Sequence, residues 1–455
     1  MATFTTSWNI PIPDVTDGAW GTIRIAAEFP ASQLREGFDL GIDARDIRRL
    51  NWDGRVEAEF NVQNGLEFTQ DIVHLRVAPV LTFHHLMPVP EVLTTNGNKS
   101  ESPEQAQFVS NLQEIIDGTS LEKPLWLFNH SDDPCVQDIV EPGYTSFPGP
   151  DGPVTLEIMI RSSQGSRVAG RQVFEYLRKE GRGAVYSPGG TRDEIDSMGN
   201  LETIPTYEYN GISYPAGRVV EGLYLESYPA KPHVYQYMRA QEFQAVGHIN
   251  KMIQFLPTSG TQHGRTLMIA DPKVQEDGYG DNNAFSRPDN LTPGITRTIP
   301  NATINEILTT KLIAENERFA ERLDGVKAVL KQETGIGDED IYKVPVKFTT
   351  GVCWGPDEGV SPERNCSIKH AARRYPGVIN GVDPVINGKD ILVEAMNKVY
   401  ANVGYEVLYI YNWFSHYEGG GDVHCGTDTI RQPQQLWWDV KLPLIVEDNE
   451  DRMEL

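Results

Sequence analysis

The chain contains little cysteine, little positive charge and no long apolar run. Its four cysteines, at positions 135, 353, 366 and 425, have spacings that match neither a zinc site nor a CxxC pair, so we expect reduced thiols. No stretch approaches the ~20 consecutive apolar residues of a transmembrane helix. The first residues lack the basic and apolar regions of a signal peptide, so we expect a cytoplasmic protein, or a secreted one if an N-terminal segment is missing from this chain.

Negative charge dominates the composition, with 64 acidic against 40 basic side chains and a formal net charge of −24. Such a field repels phosphate backbones and anionic membrane surfaces. We therefore expect neither nucleic acid nor a membrane as a partner, and a cationic substrate or a metal cation fits the field better. Solubility alone is the plainer explanation of an acidic surface, and composition does not separate the two. The oligomeric state is left open.

At 455 residues and 39% apolar, the chain is long enough for a sizeable core and more than one domain. Residues 20 to 80 alternate apolar and polar positions in short runs, which predicts a β-rich module. From about residue 72 to the end, strand-like runs alternate with helical ones, which predicts an α/β region. The strand-like runs are VTLEIMI, KMIQFLP, RTLMIAD and EVLYIYNWF.

Two helices have recognisable starts. Ser102 and Pro103, with Gln105 completing a capping box, predict a helix that runs to Ile116. The pair Thr303 and Glu306 repeats this signature before a second helix. The positions that recur there at helical spacing are expected to face the core, and they are Ile307, Leu308, Leu312, Phe319, Leu323 and Val326.

Cys425 is the first candidate for chemistry. It follows a histidine and precedes a glycine on a Gly-rich approach, a context that suits a thiolate nucleophile. The alternative is a small apolar residue buried in the core. Four other segments also combine Gly turns with ionisable residues, and they span 135–144, 197–202, 246–250 and 384–390. Each of these, taken alone, is more typical of a structural histidine or a solvated carboxylate.

Taken in this order, the five segments resemble the protein-arginine deiminases. The most specific motifs are QD…E…GY, DS-x-GNLE, VGH, DPVINGKD, and DVHCGT followed by Trp437 and Trp438. The resemblance covers residues from about 70 to about 440 and implies a pentein fold, an α/β propeller of five pseudo-repeated units preceded by immunoglobulin-like domains. On this basis we expect a β-rich remnant of an immunoglobulin-like middle domain in residues 1–71 and a pentein catalytic domain in residues 72–455.

The resemblance also implies an activity, the calcium-dependent hydrolysis of peptidyl arginine to peptidyl citrulline and ammonia through a cysteine thiouronium intermediate. By position, Cys425 would be the nucleophile, His248 the general acid and base, and Asp138 the carboxylate that holds the guanidinium of a protein or peptide arginine. A guanidinium is a resonance-stabilised cation, so its carbon needs a soft anionic nucleophile and its nitrogens need a carboxylate partner. Either Arg161 or Arg167 would hold the backbone carbonyl of the substrate.

A calcium ion beside the active site is implied by the same resemblance. Its ligands would be side-chain oxygens and two backbone carbonyls, from Gln137, Glu141, Met198, Leu201 and Glu202. All are oxygen donors, the set that a hard cation prefers. A second calcium site of animal members would be lost here, because Ile139 and, in a looser alignment, Arg161 stand at its ligand positions.

Two positions depart from the family pattern. Asn250 replaces a second carboxylate that anchors the guanidinium, and Lys251 adds a positive charge beside it. Losing a charged partner of a desolvated cation typically costs ~2–5 kcal/mol. Cys135 stands where the family usually has a tryptophan against the substrate stem. Two alternatives follow: a catalytically impaired pentein-fold module that binds calcium or an arginine peptide, or a hydrolase of small guanidines such as agmatine or arginine.

Overall fold

The computed structural model describes most of the chain in separate stretches. They are residues 10–13, 20–23, 31–36, 55–76, 78, 80–97, 102–121, 123–129, 131, 133–149, 151–165, 167–186, 197–214, 216–221, 248–273, 308–352, 370–373, 385–386, 389–417 and 421–433. The chain divides into two compact units, residues 1–79 with 443–455, and residues 80–442. The domain boundary expected between residues 71 and 72 stays a prediction.

Strands dominate the described part of the first unit, as the alternating sequence predicts. Its elements are β1 (Ile10–Pro13), β2 (Trp20–Ile23), α1 (Ala31–Glu36), β3 (Arg55–Asn64) and β4 (Glu67–Arg76). β1 and β2 pair antiparallel, and β3 and β4 form an antiparallel hairpin ten residues long. The hairpin turns at Gly65, whose φ of 63° lies in the left-handed region that favours glycine.

The second unit contains eighteen described strands. They are β5 (Leu81–Thr82), β6 (Glu91–Thr95), β7 (Trp126–Phe128), β8 (Val140–Gly149), β9 (Gly152–Arg161), β10 (Arg182–Tyr186), β11 (Leu201–Ile204), β12 (Tyr207–Tyr209), β13 (Ile212–Tyr214), β14 (Arg218–Glu221), β15 (Ile253–Pro257), β16 (Arg265–Asp271), β17 (Ile341–Pro345), β18 (Phe348–Val352), β19 (His370–Arg373), β20 (Val385–Ile386), β21 (Lys389–Asp390) and β22 (Asp428–Ile430).

These strands form several small sheets. The largest has the order β10-β9-β8-β5, with one parallel pair, β9 with β10. Two three-stranded sheets, β22-β6-β7 and β15-β16-β17, each combine one antiparallel and one parallel pair. The remaining strands pair two by two, as β11-β14, β12-β13, β18-β19 and β20-β21.

Helices of very different length lie between the strands. They are α2 (Pro103–Asp117), α3 (Val136–Ile139), α4 (Thr310–Thr334), α5 (Ile391–Ala401) and α6 (Val423–Gly426), and shorter helical turns occupy residues 168–171, 173–177, 198–200, 249–251 and 338–340. None of the helices in the described stretches is both long enough and apolar enough to cross a membrane. Helices and mixed sheets together make a mixed α/β fold, whereas the five-unit propeller and the immunoglobulin-like module stay predictions.

Helix α2 confirms the predicted start and end to within one residue. The hydroxyl of Ser102 accepts a hydrogen bond from the backbone N–H of Gln105, and proline occupies the first helical position. Phe108, Leu112 and Ile116 form the buried face of the helix. The capping signature therefore predicted the start of the helix correctly, and the helical spacing of apolar residues agrees with its buried face.

Helix α4 begins later than predicted. Thr309 caps it, because its Oγ1 accepts a hydrogen bond from the backbone N–H of Leu312, so Leu308 lies before this helix and not in it as predicted. Residues 301–307, which include the predicted capping pair and Ile307, lie outside the described part of the chain. The later core positions are correct: Leu312, Phe319, Leu323 and Val326 are buried.

The EVLYIYNWF run is not a strand, and this prediction is wrong. Residues 405–412 are described but pair with no strand in the described part of the chain. Tyr405, Val407 and Tyr409 pack on the apolar cluster that contains Met396, whereas Ile410 belongs to the cluster of α2. The alternating pattern therefore reflects an irregular segment that contributes side chains to two cores.

Four short helical turns in the second unit each lead directly into a strand. α3 precedes β8, the turn at 198–200 precedes β11, the turn at 249–251 stands just before β15, and α6 precedes β22. Contacts link α3 with α6, α3 with the 198–200 turn, and the 198–200 turn with the 249–251 turn. The four turns thus converge, although they lie far apart in the sequence.

Candidate functional site

Cys425 lies in the one-turn helix α6 and is 1% exposed. The hydroxyl of Thr94 in β6 donates to the carbonyl of Gly426 at 2.6 Å, which ties the end of the turn to the neighbouring strand. Glycine is required at 426, because a Cβ atom there would overlap the imidazole of His416. The backbone around Cys425 is therefore fixed by close packing.

His248 connects Cys425 to Asp138. It stands just before the 249–251 turn and is fully buried. Its Nδ1 lies 3.2 Å from Sγ of Cys425, and its Nε2 lies 3.0 Å from Oδ1 of Asp138. The structure thus brings together the three residues predicted to carry the chemistry, in a continuous thiol, imidazole and carboxylate line.

Asp138, in α3, has two further partners. The hydroxyl of Ser197 donates to Oδ1 at 2.6 Å, and a guanidinium nitrogen of Arg167 lies 3.3 Å from Oδ2. Arg167 also pairs with Asp133 and donates to the amide oxygen of Gln164. The carboxylate at the centre of the site therefore already binds a guanidinium, one that belongs to the protein itself.

The charges of these groups support an ionised thiol. A hydrogen bond from Cys135 holds the pKa of Cys425 well below its usual value, and the charges of His248 and Lys251 outweigh the opposing effect of burial. Burial alone would lower the pKa of His248, but the charges of Cys425 and Asp138 raise it to about 10. Burial would raise the pKa of Asp138, but His248 and Arg167 hold it below its usual value. The stable form is a thiolate beside an imidazolium.

Cys135 lies at the start of α3 and contacts Cys425. Its hydrogen bond to the Cys425 thiolate, followed by burial, raises the pKa of the Cys135 thiol well above its usual value. Cys135 is therefore the protonated member of the pair, and Cys425 is the ionised one. The residue that replaces the expected tryptophan thus touches the nucleophile directly.

Arg161 and Arg167, the two alternatives for holding the substrate backbone, lie in different surroundings. Arg167 contacts Asp138, as described above. The guanidinium of Arg161 instead stacks on the ring of Tyr186, with 4.6 Å to the ring centroid, and its stem lies against Gly170. Of these two arginines, Arg167 is therefore the one that contacts the Cys425, His248 and Asp138 line.

The predicted calcium ligands form a buried acidic cluster next to this line. The amide of Gln137 donates to Oε2 of Glu141 at 2.7 Å. Burial, together with the charges of Asp428 and Glu202, raises the pKa of Glu141 well above its usual value, and burial raises the pKa of Glu202 to about 7. The carbonyl of Met198 accepts one hydrogen bond, from the N–H of Leu201, and keeps a second lone pair.

These residues fit a hard divalent cation. Glu141, Glu202 and Asp428 are all buried, and Oδ2 of Asp428 has no hydrogen-bond partner among the described residues. Buried carboxylates that lack a full set of partners are destabilising unless a cation compensates them. The donors available here are oxygens, which Ca²⁺ prefers. The cluster therefore has the chemistry that the predicted calcium site requires.

Arg431 is a buried cation that the sequence did not reveal. Its guanidinium donates to the carbonyls of Met87, at 2.9 Å, and His85, at 3.3 Å. Burial lowers its pKa to about 10, against the charges of Glu202, Asp428 and Glu141. The guanidinium stays charged at neutral pH and offsets part of the acidic cluster.

The roles of three residues escaped the sequence analysis although they stand inside or beside the motifs it used. Ser197 is the second residue of the DS-x-GNLE motif, and Asp428 and Arg431 follow Cys425 by three and six positions. Lys251, whose positive charge the sequence did indicate, is buried, and its charge lowers the pKa of Cys425. Asn250 lies in the 249–251 turn, but its side chain is outside the described part of the structure.

An ionised thiol paired with an imidazolium and a carboxylate is the arrangement that nucleophilic cysteine chemistry requires. The family model described as Protein-arginine deiminase (PAD) matches residues 67–439. The chain therefore belongs to the protein-arginine deiminase family.

Individual relatives are more distant. The chain is 26% identical over 405 residues to protein-arginine deiminase type-1 of Homo sapiens, and 26% identical over 399 residues to type-4 of Rattus norvegicus; each match covers 81% of this chain and 57% of the relative. The chain thus spans a little over half the length of these relatives. Among solved structures, an agmatine deiminase of C. jejuni is 9% identical with a TM-score of 0.40, covering 79% of this chain and 98% of that one. A putative arginine deiminase from Porphyromonas gingivalis is 11% identical with a TM-score of 0.37, covering 78% and 99%.

Proposed function

We propose that the protein hydrolyses the guanidinium of peptidyl arginine to a ureido group, releasing ammonia, in a calcium-dependent reaction. One observation carries the proposal: Cys425, His248 and Asp138 form a continuous line, and the carboxylate at its end binds a guanidinium. Membership of the protein-arginine deiminase family supports the same substrate class.

The guanidinium of Arg167 indicates how a substrate would be held. Arg167 contacts Asp138 through one nitrogen at 3.3 Å and pairs more closely with Asp133. A substrate guanidinium can therefore replace the longer contact while Asp133 keeps Arg167 in place. Two guanidinium groups beside Asp138 repel each other, so the neighbouring Asp133 carboxylate is needed to balance the second positive charge.

The first chemical step uses the ionised thiol. The Cys425 thiolate attacks the guanidinium carbon and forms a C–S bond, giving a tetrahedral adduct. The His248 imidazolium then donates its proton to the departing nitrogen, the C–N bond breaks, and ammonia leaves. The product is a thiouronium cation covalently attached to Cys425.

The second step uses water. Neutral His248 accepts a proton from a water molecule, whose oxygen attacks the thiouronium carbon. Collapse of the second adduct breaks the C–S bond, its hydroxyl proton passes to solvent, where the released ammonia takes it up as ammonium, and the ureido product is released. Cys425 returns as a thiolate and His248 as an imidazolium, so the resting ion pair is restored.

Calcium would be held by the side chains of Gln137, Glu141 and Glu202 and the carbonyls of Met198 and Leu201. When bound, it would supply positive charge that neutralises the buried carboxylates. Gln137 and Glu141 belong to or directly follow α3, which carries Asp138, and Met198 lies in the turn that follows Ser197. Calcium binding would therefore fix the two segments that position the Asp138 carboxylate.

The test is product formation from a blocked arginine amide, measured at millimolar calcium and after calcium removal. Ureido product that requires calcium and disappears in Cys425→Ala supports the proposal. Free arginine and agmatine are the comparison substrates, and a preference for either would replace a peptidyl substrate by a small guanidine. Product that ignores calcium would overturn the calcium dependence and leave the thiol chemistry standing.

Asn250→Asp separates an active enzyme from an impaired module. Restoring a carboxylate should increase turnover of the arginine amide, because a second negative charge binds the guanidinium more strongly than an amide does. Product from the unmodified protein supports an enzyme as it stands. If only Asn250→Asp forms product, the unmodified protein is an impaired module whose turnover is prevented by Asn250. If neither the unmodified protein nor Asn250→Asp forms product, the proposed activity is contradicted.

A further inference from the structure

A second cluster of metal-binding side chains lies beside the Cys425, His248 and Asp138 line. It consists of His85, Glu202 and His424, and one ligand atom from each lies within 4.8 Å of those of the other two. Nδ1 of His85 is 3.6 Å from Oε1 of Glu202. The two imidazole rings are 6.4 Å apart between centroids and inclined at 75°, so they face the cluster from different directions.

Two nitrogen atoms of this cluster lack hydrogen bonds. Nδ1 of His85 and Nδ1 of His424 are both buried, and neither has a hydrogen-bond partner among the described residues. Buried polar atoms without partners are rare in folded proteins and call for a specific explanation, such as a bound water or ion. The two atoms occur on adjacent histidines that flank one carboxylate, which favours an ion over two unrelated defects.

We propose that His85, Glu202 and His424 bind a divalent transition-metal ion of the zinc class. Two imidazole nitrogens and one carboxylate oxygen are a donor set that zinc and its neighbours favour, while Ca²⁺ prefers oxygen alone. In a tetrahedral zinc site with bonds near 2.0 Å, ligand atoms lie about 3.3 Å apart. The ligand atoms lie within 4.8 Å of one another here, so side-chain adjustments that shorten each separation by at most about 1.5 Å would reach that value.

The charges around the His85, Glu202 and His424 cluster determine how tightly it would bind a metal ion. Arg431 is the guanidinium whose charge acts on all three residues, and it opposes a cation. The buried carboxylates of Glu141 and Asp428, whose charges act on Arg431, offset it. The site is therefore a moderate one, expected to bind transition metals more weakly than a structural zinc site.

Glu202 is shared between this site and the predicted calcium site, so the two ions should exclude each other. This consequence rests on the proposed function, whereas binding of the transition metal does not. A zinc-class ion would remove one calcium ligand and fix His424, the residue directly before Cys425. It would thus antagonise calcium from a position next to the nucleophile.

The test uses Co²⁺ as a spectroscopic probe on the full chain after treatment with a chelator. The catalytic thiol is a competing ligand, so the reference protein is Cys425→Ala. We expect it to bind one equivalent of Co²⁺ with visible bands of a low-coordinate site and no sulfur-to-cobalt charge transfer. His85→Ala and His424→Ala in that background should each weaken binding at least about tenfold, since even changes in outer-shell partners cost that much.

Control variants distinguish loss of the metal site from a general effect of removing a histidine or from unfolding. His263→Ala, at a partly buried histidine outside the cluster, should leave Co²⁺ binding unchanged. His85→Gln keeps a polar side chain, and it replaces His85→Ala if circular dichroism shows that the alanine variant is unfolded. Equal affinity in the reference protein and in folded His85 and His424 variants would overturn the proposal. Loss of all binding in the Cys425→Ala reference would also overturn it, by assigning the metal to the thiol.

Competition between Ca²⁺ and Co²⁺ is measured in a separate titration. Excess Ca²⁺ should lower the affinity for Co²⁺ if Glu202 serves both ions. If Co²⁺ binds as predicted and Ca²⁺ has no effect, the transition-metal site stands and the calcium ligand set fails.

Discussion

Nδ1 of His248 lies 3.2 Å from Sγ of Cys425, although 177 positions separate the two residues in the sequence. Both groups are buried, and their pKa values move in opposite directions, that of the histidine to about 10 and that of the thiol well below its usual value. Both shifts favour the ionised pair over the neutral thiol and imidazole. Reactivity at this site comes from an ion pair that the fold holds in place.

Cys135 should control the reactivity of Cys425. Replacing Cys135 by Ala removes the hydrogen bond that is the largest cause of the lowered thiol pKa, so the pKa of Cys425 should rise. The measurement is the rate of iodoacetamide alkylation of the Cys425 peptide against pH, followed by mass spectrometry. Cys135→Ser is the matched control, because its hydroxyl can still donate. Superimposable profiles for Cys135→Ala and the unmodified protein would mean that the hydrogen bond has no influence.

Lys251 should act on the same thiol through its charge. Lys251→Met keeps the stem of the side chain and removes the ammonium whose charge lowers the pKa of Cys425, so the alkylation profile should move to higher pH. Lys273→Met is the comparison, since Lys273 is half exposed and pairs with Asp324 at 3.9 Å. An equal effect of both substitutions would argue against a specific role for Lys251.

Gly199 should tolerate no side chain. A Cβ atom at this position would lie 2.6 Å from Oδ1 of Asp138 and 2.7 Å from Nε2 of His248, in the middle of their ion pair. Gly199→Ala should therefore lower turnover at least about 100-fold, the effect of a misplacement of about 1 Å, in protein that circular dichroism shows to be folded. Gly325→Ala, in helix α4 with nothing within 4 Å of the added atom, should be neutral. Full activity of Gly199→Ala would contradict the arrangement of these two residues.

The acidic cluster should make the calcium-free protein less stable as the pH rises. The pKa of Glu202 is raised from 4.5 to about 7, so between these values the folded protein keeps a proton that the unfolded chain releases. Stability should therefore fall between pH 4.5 and about 7, by on the order of 3 kcal/mol from this group. Thermal unfolding in the presence of a chelator measures the effect.

Glu202→Gln tests the origin of that pH dependence. A neutral amide removes the titration, so the calcium-free variant should lose much of the pH dependence and be more stable at pH 7.5 than the unmodified protein. It should also lose most of the rise in Tm that calcium produces. Glu208→Gln, at an exposed position, should change neither quantity. A Glu202→Gln protein that calcium stabilises as strongly as before would remove Glu202 from the calcium ligands.

The sequence predicted correctly those helices and strands whose structure depends on residues close together along the chain. The capping of α2 by Ser102 and the strand β16 at Arg265–Asp271 follow from local hydrogen bonding and apolar patterning. The cap of α4 at Thr309 was not predicted, because a single threonine before a helical run is a weak signal without an acidic or amide residue three positions later. The segment at 405–412 has the pattern of a strand but no neighbouring strand to pair with, which no local pattern reveals.

Local motifs also predicted part of the candidate site. Cys425, His248 and Asp138 each stand in a recognisable motif, on short turns that lead into strands, and the structure brings the three together. Their partners were not predictable, because the guanidinium of Arg167 reaches Asp138 and the thiol of Cys135 reaches Cys425 only through the tertiary fold. Motifs identified the reacting groups, whereas the electrostatics around them had to come from the structure.

The most direct test of the central claim is to look for the covalent bond between the substrate and Cys425. The protein is mixed with an arginine peptide at millimolar calcium, quenched in acid during turnover, and examined by mass spectrometry of the intact protein and of the peptide containing Cys425. We predict an adduct on Cys425 equal in mass to the peptide less ammonia, none in Cys425→Ala, and a turnover in that variant about 10⁴-fold lower or worse. Formation of the ureido product by Cys425→Ala at an undiminished rate would contradict it.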